Sequence, residues 1–268
     1  MQAIGLHTIL PIVICCTAAA ELAGSAAVKE LCTEAERFAA VLTPAREALS
    51  HIRTREQADA AVPAILPVHE AKARMLAAVN AVGVRETEFE NLVKNTPGLR
   101  RALLLIPGEQ FTQAVRREIA AGCHGSTRLF CALHNTLHHY TPEQLDAPLS
   151  EQDATTLQEA EAAFRAIAVV NTAISSNRTQ QVAPQLKEFC RAVRAAQPGI
   201  AGVKQHPAAT MQLVGLAEQH RKHLSIIGSN LVYQAPEFQQ LLREERNNFF
   251  FSLFAEEYID SLIYPHRK

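Results

Sequence analysis

Apolar residues recur every three or four positions through most of the chain, the spacing that places them on one face of an α-helix. The first such stretch follows the N-terminal segment and runs toward Arg53, with Pro44 expected to kink or interrupt it. Thr54 reads as an N-cap, and Gln57 three residues on completes a capping-box pattern. The next stretch, "REQADAAVPAILPVHEAKARMLAAV", is expected to be broken by Pro63 and Pro67. "VRETEFENLVKN" forms a third helix ending before Pro97, and "PGEQFTQAVRREIAA" a fourth, opened by Pro107 and stopped by Gly122. "TRLFCALHNTLHHY" reads as a further short helix, and Thr141-Pro142 start another.

The second half follows the same scheme. Ser150 caps a long helix toward Ser176, and Thr179 starts another that ends near Pro198-Gly199. "HPAATMQLVGLAEQHRKHLSII" stops at Gly228, and Pro236 opens the last. No stretch shows period-two alternation bounded by Asn-Gly or Asp-Gly turns. The expected fold is all-α: two similar helical units packed as hairpins or bundles.

The likeness of the halves extends to residues. "EAERFAAVLTPAREALSHIRT" (Glu34–Thr54) aligns with "EAEAAFRAIAVVNTAISSNRT" (Glu159–Thr179). Glu34, Ala35, Glu36, Ala48, Ser50, Arg53 and Thr54 all recur at one offset. A second anchor, "FTQAVRRE" (Phe111–Glu118) against "FQQLLREE" (Phe238–Glu245), follows in the same order at nearly that offset. The pattern predicts an internal duplication, with residues 1–26 as a signal peptide, 27–148 as one helical unit and 149–268 as the other. The hairpin over Ala48–Met75 and its copy, a helix followed by a capped helix with an early A-x-P element, resembles that of uncharacterised exported α-helical proteins of bacteria. That resemblance implies an exported helical protein and brings no activity or site residues with it.

The N-terminus supports export independently. The apolar run Ile9 to Cys16 is followed by small residues, with cleavage expected after Ala18-Ala19-Ala20 or Gly24-Ser25-Ala26. The run is too short to span a bilayer well, so no stable transmembrane span is expected once it is removed. The first eight residues carry no Lys or Arg, a departure from the usual signal pattern. Ile14 before Cys15 is bulky where lipoprotein processing needs a small residue. The expected location is the periplasm, the cell envelope or the outside of the cell.

Composition narrows the function. The 268 residues are 48% hydrophobic and 20% charged, enough for a substantial core. The 11 glycines are few for a phosphate-binding or turn-rich fold. A net charge of −1 leaves no basic surplus to neutralise a phosphate backbone, which argues against nucleic acid. Four cysteines lie beyond the signal segment: Cys32, Cys123, Cys131 and Cys190. They read either as buried thiols or as disulfide partners, including a local Cys123–Cys131 bridge across Gly125.

The densest chemistry is "CHGSTRLFCALHNTLHHY", Cys123 to Tyr140. On one continuous helix, Leu129, Leu133, Leu137 and Tyr140 form a core face, and Cys131, His134 and His138 share its edge. Such an edge offers zinc or copper a thiolate and an i,i+4 histidine pair, with His220, His223 and Glu218 as donors from elsewhere. No His-Glu-x-x-His, paired Cys-x-x-Cys or haem-attachment motif accompanies it. Ser126 lies outside any Gly-x-Ser-x-Gly elbow, and Glu256, Glu257 and Asp260 read as a solvated helix face. The aromatic run Phe249, Phe250, Phe251, Phe254, Tyr258 and Tyr264 reads as core packing or a partner surface. The reading favoured by the sequence is a non-enzymatic exported protein without cofactor, with an interaction or structural role in the cell envelope and protein as its partner; the rival is a periplasmic metal-binding or metal-dependent protein built on the histidine edge.

Overall fold

The computed structural model describes residues 25–244, apart from residue 225, residues 227–231 and residue 233. The signal segment with Cys15 and Cys16, the stop at Gly228 and the carboxylate and aromatic runs beyond Glu244 lie outside the described residues. The described residues are helical with no strand, so the fold is all-α. None of their helices is long and apolar enough to cross a membrane.

The chain divides into two compact units on either side of Val115–Arg116, upstream of the boundary expected at 148/149. The first unit opens with helix α1, Ala26–Ser50, whose N-cap Ser25 accepts a hydrogen bond from the Val28 amide. Val28, Leu31, Ala35, Phe38, Leu42, Ala45 and Leu49 form its buried stripe. A short turn leads to α2, Arg55–Val82, capped by Thr54 as the sequence predicts: Thr54 Oγ1 accepts from the Gln57 amide. The two helices fold back on each other, and their facing alanines (Ala35 and Ala45 on α1, Ala58, Ala61 and Ala71 on α2) let the axes approach closely.

The prolines do not break these helices. Helix α1 continues through Pro44, and α2 runs for 28 residues through Pro63 and Pro67. All three prolines are solvent-exposed, so the backbone carbonyls they deprive of a partner lie on the side open to water. Packing of α2 along α1 supplies the stability that the missing hydrogen bonds withhold. Helix α2 ends at Gly83, which takes the left-handed conformation at φ 70°.

Helices α3, Glu86–Asn95, and α4, Pro97–Leu104, close the open end of this hairpin. Phe89, Leu92 and Leu99 join Val28, Leu31, Val79 and Val82 in one core. The sequence pattern did not predict α4. Helix α5, Gly108–Ala120, contains the division between the units, and Phe111 is buried on it.

The second unit contains α6, Thr127–Leu133, the single turn α7, Pro142–Leu145, and then α8, Glu151–Ser175. Helix α9, Val182–Ala196, returns along α8 and is followed by α10, Ile200–Gln205, another helix absent from the sequence expectation. Helix α11, Pro207–Leu224, lies on α8, and α12, Pro236–Glu244, lies on α9 through Phe238 and Phe189, whose ring centroids are 6.2 Å apart.

Helices α1 and α8 correspond closely. Both are 25 residues long and serine-capped, and they end at the aligned residues Ser50 and Ser175. Aligned positions are buried in both: Ala35 with Ala160, Leu42 with Ile167, Ala45 with Val170. At Phe38-Ala39 and Ala163-Phe164 the large and small side chains exchange places. Each helix also sends a glutamate to an arginine on its return helix, which holds a glutamate of its own helix. These groups are Glu34–Arg74–Glu70, with 3.4 Å between Glu34 and Arg74, and Glu159–Arg191–Glu188, with 3.9 Å between Glu159 and Arg191. The return helices differ, at 28 against 15 residues.

Two glycines give opposite tests of this packing. A Cβ on Gly199 would lie 1.8 Å from Thr156 Oγ1 on α8, whereas a Cβ on Gly98 meets nothing within 4 Å. Gly199→Ala is expected to destabilise the protein by about 1–3 kcal/mol. Gly98→Ala, on the exposed first turn of α4, is expected to stabilise it by about 0.5–1 kcal/mol. Urea denaturation of both variants checks the pair; equal midpoints would contradict the α8 contact.

Candidate functional site

The histidine-rich stretch is not one helix. Helix α6 stops at Leu133 because Asn135 adopts φ 56°, and the amides of Asn135 and Thr136 turn back to the carbonyls of Ala132 and Cys131. This is a Schellman stop, with asparagine in the left-handed position usually given to glycine. His134 is the C-cap, half-buried with its ring edge-on to Phe130 at 4.3 Å. His138 belongs to a separate 3-10 turn, Leu137–His139, where it is exposed and rings with His139 at 4.1 Å. The helical edge expected to align Cys131, His134 and His138 therefore does not exist, and the stop at Asn135 is the reason. Of the expected core face, Leu133 is buried and Leu137 and Tyr140 are half-buried, while His139 is exposed. Among the described residues, no group of three or more His, Cys, Asp or Glu is arranged to hold a metal ion.

The four described cysteines are free thiols. Burial, and then the nearby Glu118 and Cys131, push the Cys123 thiol far above its ordinary range. Burial pushes Cys131 up to about 11. Thiols held protonated in this way are poor nucleophiles and poor metal ligands.

Upstream of α6 lies a feature that residue pattern did not reveal. Gly122, Cys123, His124 and Gly125 are consecutive residues in the left-handed region, at φ 60°, 47°, 52° and 81°. Two non-glycine residues there cost on the order of 1–2 kcal/mol each. Contacts on all sides offset that cost. Cys123 is fully buried, and its carbonyl accepts from the Ser126 amide at 2.9 Å. His124 Nε2 lies 3.3 Å from Glu118 Oε2, and Glu118, 1% exposed, also accepts from Arg117 Nε at 3.0 Å. Ser126 then caps α6, accepting from the Leu129 amide.

Helix α11 holds this turn from the other side. A Cβ on Gly215 would sit 3.0 Å from the Ile119 carbonyl, so the helix touches the end of α5 backbone to backbone. Gln219 Nε2 donates to the Ala120 carbonyl at 2.7 Å, and Glu218 lies 3.8 Å from Arg116. The donors once expected for a metal are thus directed elsewhere: Glu218 faces Arg116, while His220 and His223 face α8. His220 stacks on Phe164 at 5.8 Å with an interplanar angle of 8°, and His223 Nδ1 lies 2.9 Å from the Asn171 side-chain nitrogen.

Beside His223 a cleft of about 230 Å³ runs along the last turns of α8. Ala168, Val169 and Ala173 form its apolar wall; Thr172, Arg178, Gln181 and His223 provide its polar atoms. No family model, curated protein or solved structure matches the chain.

Both α11 histidines are held below their ordinary pKa. Burial is the first cause for each, reinforced by His223 for His220 and by Lys222 for His223. The folded state therefore favours neutral imidazole. Their stabilising contribution is complete above about pH 6.5, and it is lost as pH falls from there through the lowered folded values. The denaturation midpoint is expected to drop between about pH 7 and pH 5. His220→Phe, which keeps a ring against Phe164, is expected to reduce that drop; an unchanged slope would remove His220 as a contributor.

Proposed function

We propose that the chain is an exported, non-enzymatic scaffold of the cell envelope, built from a duplicated helical hairpin, that acts by docking another protein. The observation that carries this reading is the edge at the end of α4. Leu104 and Leu105 are 59% and 56% exposed, preceded by exposed Arg100 and Arg101. Adjacent leucines open to water, beside cations with no ion pair among the described residues, fit an apolar groove with an acidic rim.

Further support comes from how potentially reactive groups are used. Glu34 faces Arg37 and Arg74, Glu118 faces Arg117 and His124, and the buried thiols are held protonated. The apolar run Ile9–Cys16 followed by small residues supports export, and the matching burial of α1 and α8 supports duplication.

Two experiments test the reading. Mass spectrometry of the protein from its native cell is expected to find an N-terminus near Glu21 or Ala27; intact Met1 in the cytosol overturns export. For docking, a photo-crosslinking residue at position 105 is expected to yield a protein adduct that the same residue at exposed Lys94 does not. The identified partner, purified, should bind the Leu104→Ser, Leu105→Ser variant at least about tenfold more weakly. Equal adducts at both positions, or equal affinity, reject the docking edge.

A further inference from the structure

The two hairpins turn through aligned arginines, Arg53 and Arg178, but use them differently. In the first, the Arg53 guanidinium donates to the neighbouring Ile52 carbonyl, and its amide donates to the Gln57 side chain that completes the Thr54 cap. The arginine is absorbed into the turn. In the second, a Schellman stop at Asn177, φ 54°, ends α8: the Asn177 amide donates to the Ile174 carbonyl and the Arg178 amide to the Ala173 carbonyl. Helix α9 begins without a side-chain cap. The Arg178 guanidinium has no partner among the described residues and borders the cleft.

The rest of the cleft determines what such a cation would meet. No carboxylate is among its lining residues, so Arg178 is not neutralised within it. Thr172 donates its hydroxyl proton to the Ala168 carbonyl, which leaves its oxygen as an acceptor. Gln181 offers amide hydrogens, and His223, engaged at Nδ1 by Asn171, lines the cleft as well. Ala168, Val169 and Ala173 form a wall of small apolar surface, and Val169 is 42% exposed although nothing polar calls it outward. A volume of about 230 Å³ lies below the roughly 300–1,000 Å³ of pockets that enclose drug-sized ligands. The occupant must therefore be small, anionic at one end and apolar at the other.

We propose that this cleft binds a small organic monocarboxylate, with Arg178 paired to the carboxylate and the Ala168–Val169–Ala173 wall against the hydrocarbon part. A guanidinium presents two parallel donors that match a carboxylate, and a flanking apolar wall strengthens the pair by excluding water from one side. The site is independent of the docking edge on α4.

The test uses the full purified chain, with benzoate and hexanoate as probes and benzyl alcohol and hexanol as uncharged controls of similar shape. Ligand-observed NMR with titration is expected to show saturable carboxylate binding with Kd on the order of 1 mM. The alcohols should bind about tenfold more weakly. Arg178→Gln, at an exposed position, should abolish the preference for carboxylates over alcohols. Val169→Trp, which fills the mouth, should weaken both. Absence of saturable binding, equal affinity for acids and alcohols, or an acid preference that survives Arg178→Gln would each overturn the proposal.

Discussion

A helix of 25 residues whose buried stripe mixes alanines with Leu, Val, Ile and Phe gains little from propensity alone and must lie along a second helix to be stable. The alanines bury little area per residue but let the backbones come close between the larger side chains, which supply most of the buried area. The rest of each unit follows from completing that hairpin. In the first unit the exposed end is closed by α3 and α4, which bring Phe89 and Leu99 onto Val28 and Val82. In the second, the shorter return helix leaves more of α8 to cover, and α10 and α11 lie against it.

The close approach of α11 explains how four consecutive left-handed residues are tolerated. Gly215 brings the helix onto the Ile119 carbonyl, and Gln219 satisfies the next carbonyl, so the last turn of α5 is held before the chain reverses. The reversal places Cys123 inside and returns His124 to Glu118, two features that an ordinary right-handed continuation would forfeit. Glu118 would otherwise be a buried carboxylate with only Arg117 beside it, and burial of a carboxylate without partners is costly. The strained turn thus lowers the cost of burying Glu118 by bringing His124 beside it.

What the sequence disclosed was local. Thr54 with Gln57, Thr141 with Pro142, and Ser150 were legible because a cap involves residues three positions apart. What it misrepresented was decided by tertiary packing. Pro63 and Pro67 announce breaks that the neighbouring helix overrides, and nothing local reports that both face water. Asn135 was a missed local signal, since asparagine after a helical stretch is a recognised stop, and reading it would have separated His134 from His138 at once. The Glu118–His124 pair and the cleft beside His223 depend on where α11 and α8 fall in space, and no spacing in the chain encodes that.

The correspondence between α1 and α8 gives the differences between the hairpins their meaning. Where aligned residues do the same work, as at Ala45 and Val170 or at Glu34 and Glu159, packing is enough to account for them. Where they diverge, packing no longer accounts for the residue. Arg53 and Arg178 occupy corresponding turns, yet only the first closes its own backbone, and the second stands beside an apolar cleft with no acid among its described lining residues. An exposed arginine costs a helical protein little, but one that borders apolar surface loses part of its hydration and recovers it only from an anion. The asparagine stop before the second turn relieves Arg178 of any capping duty, and its guanidinium is left beside the cleft without a partner among the described residues.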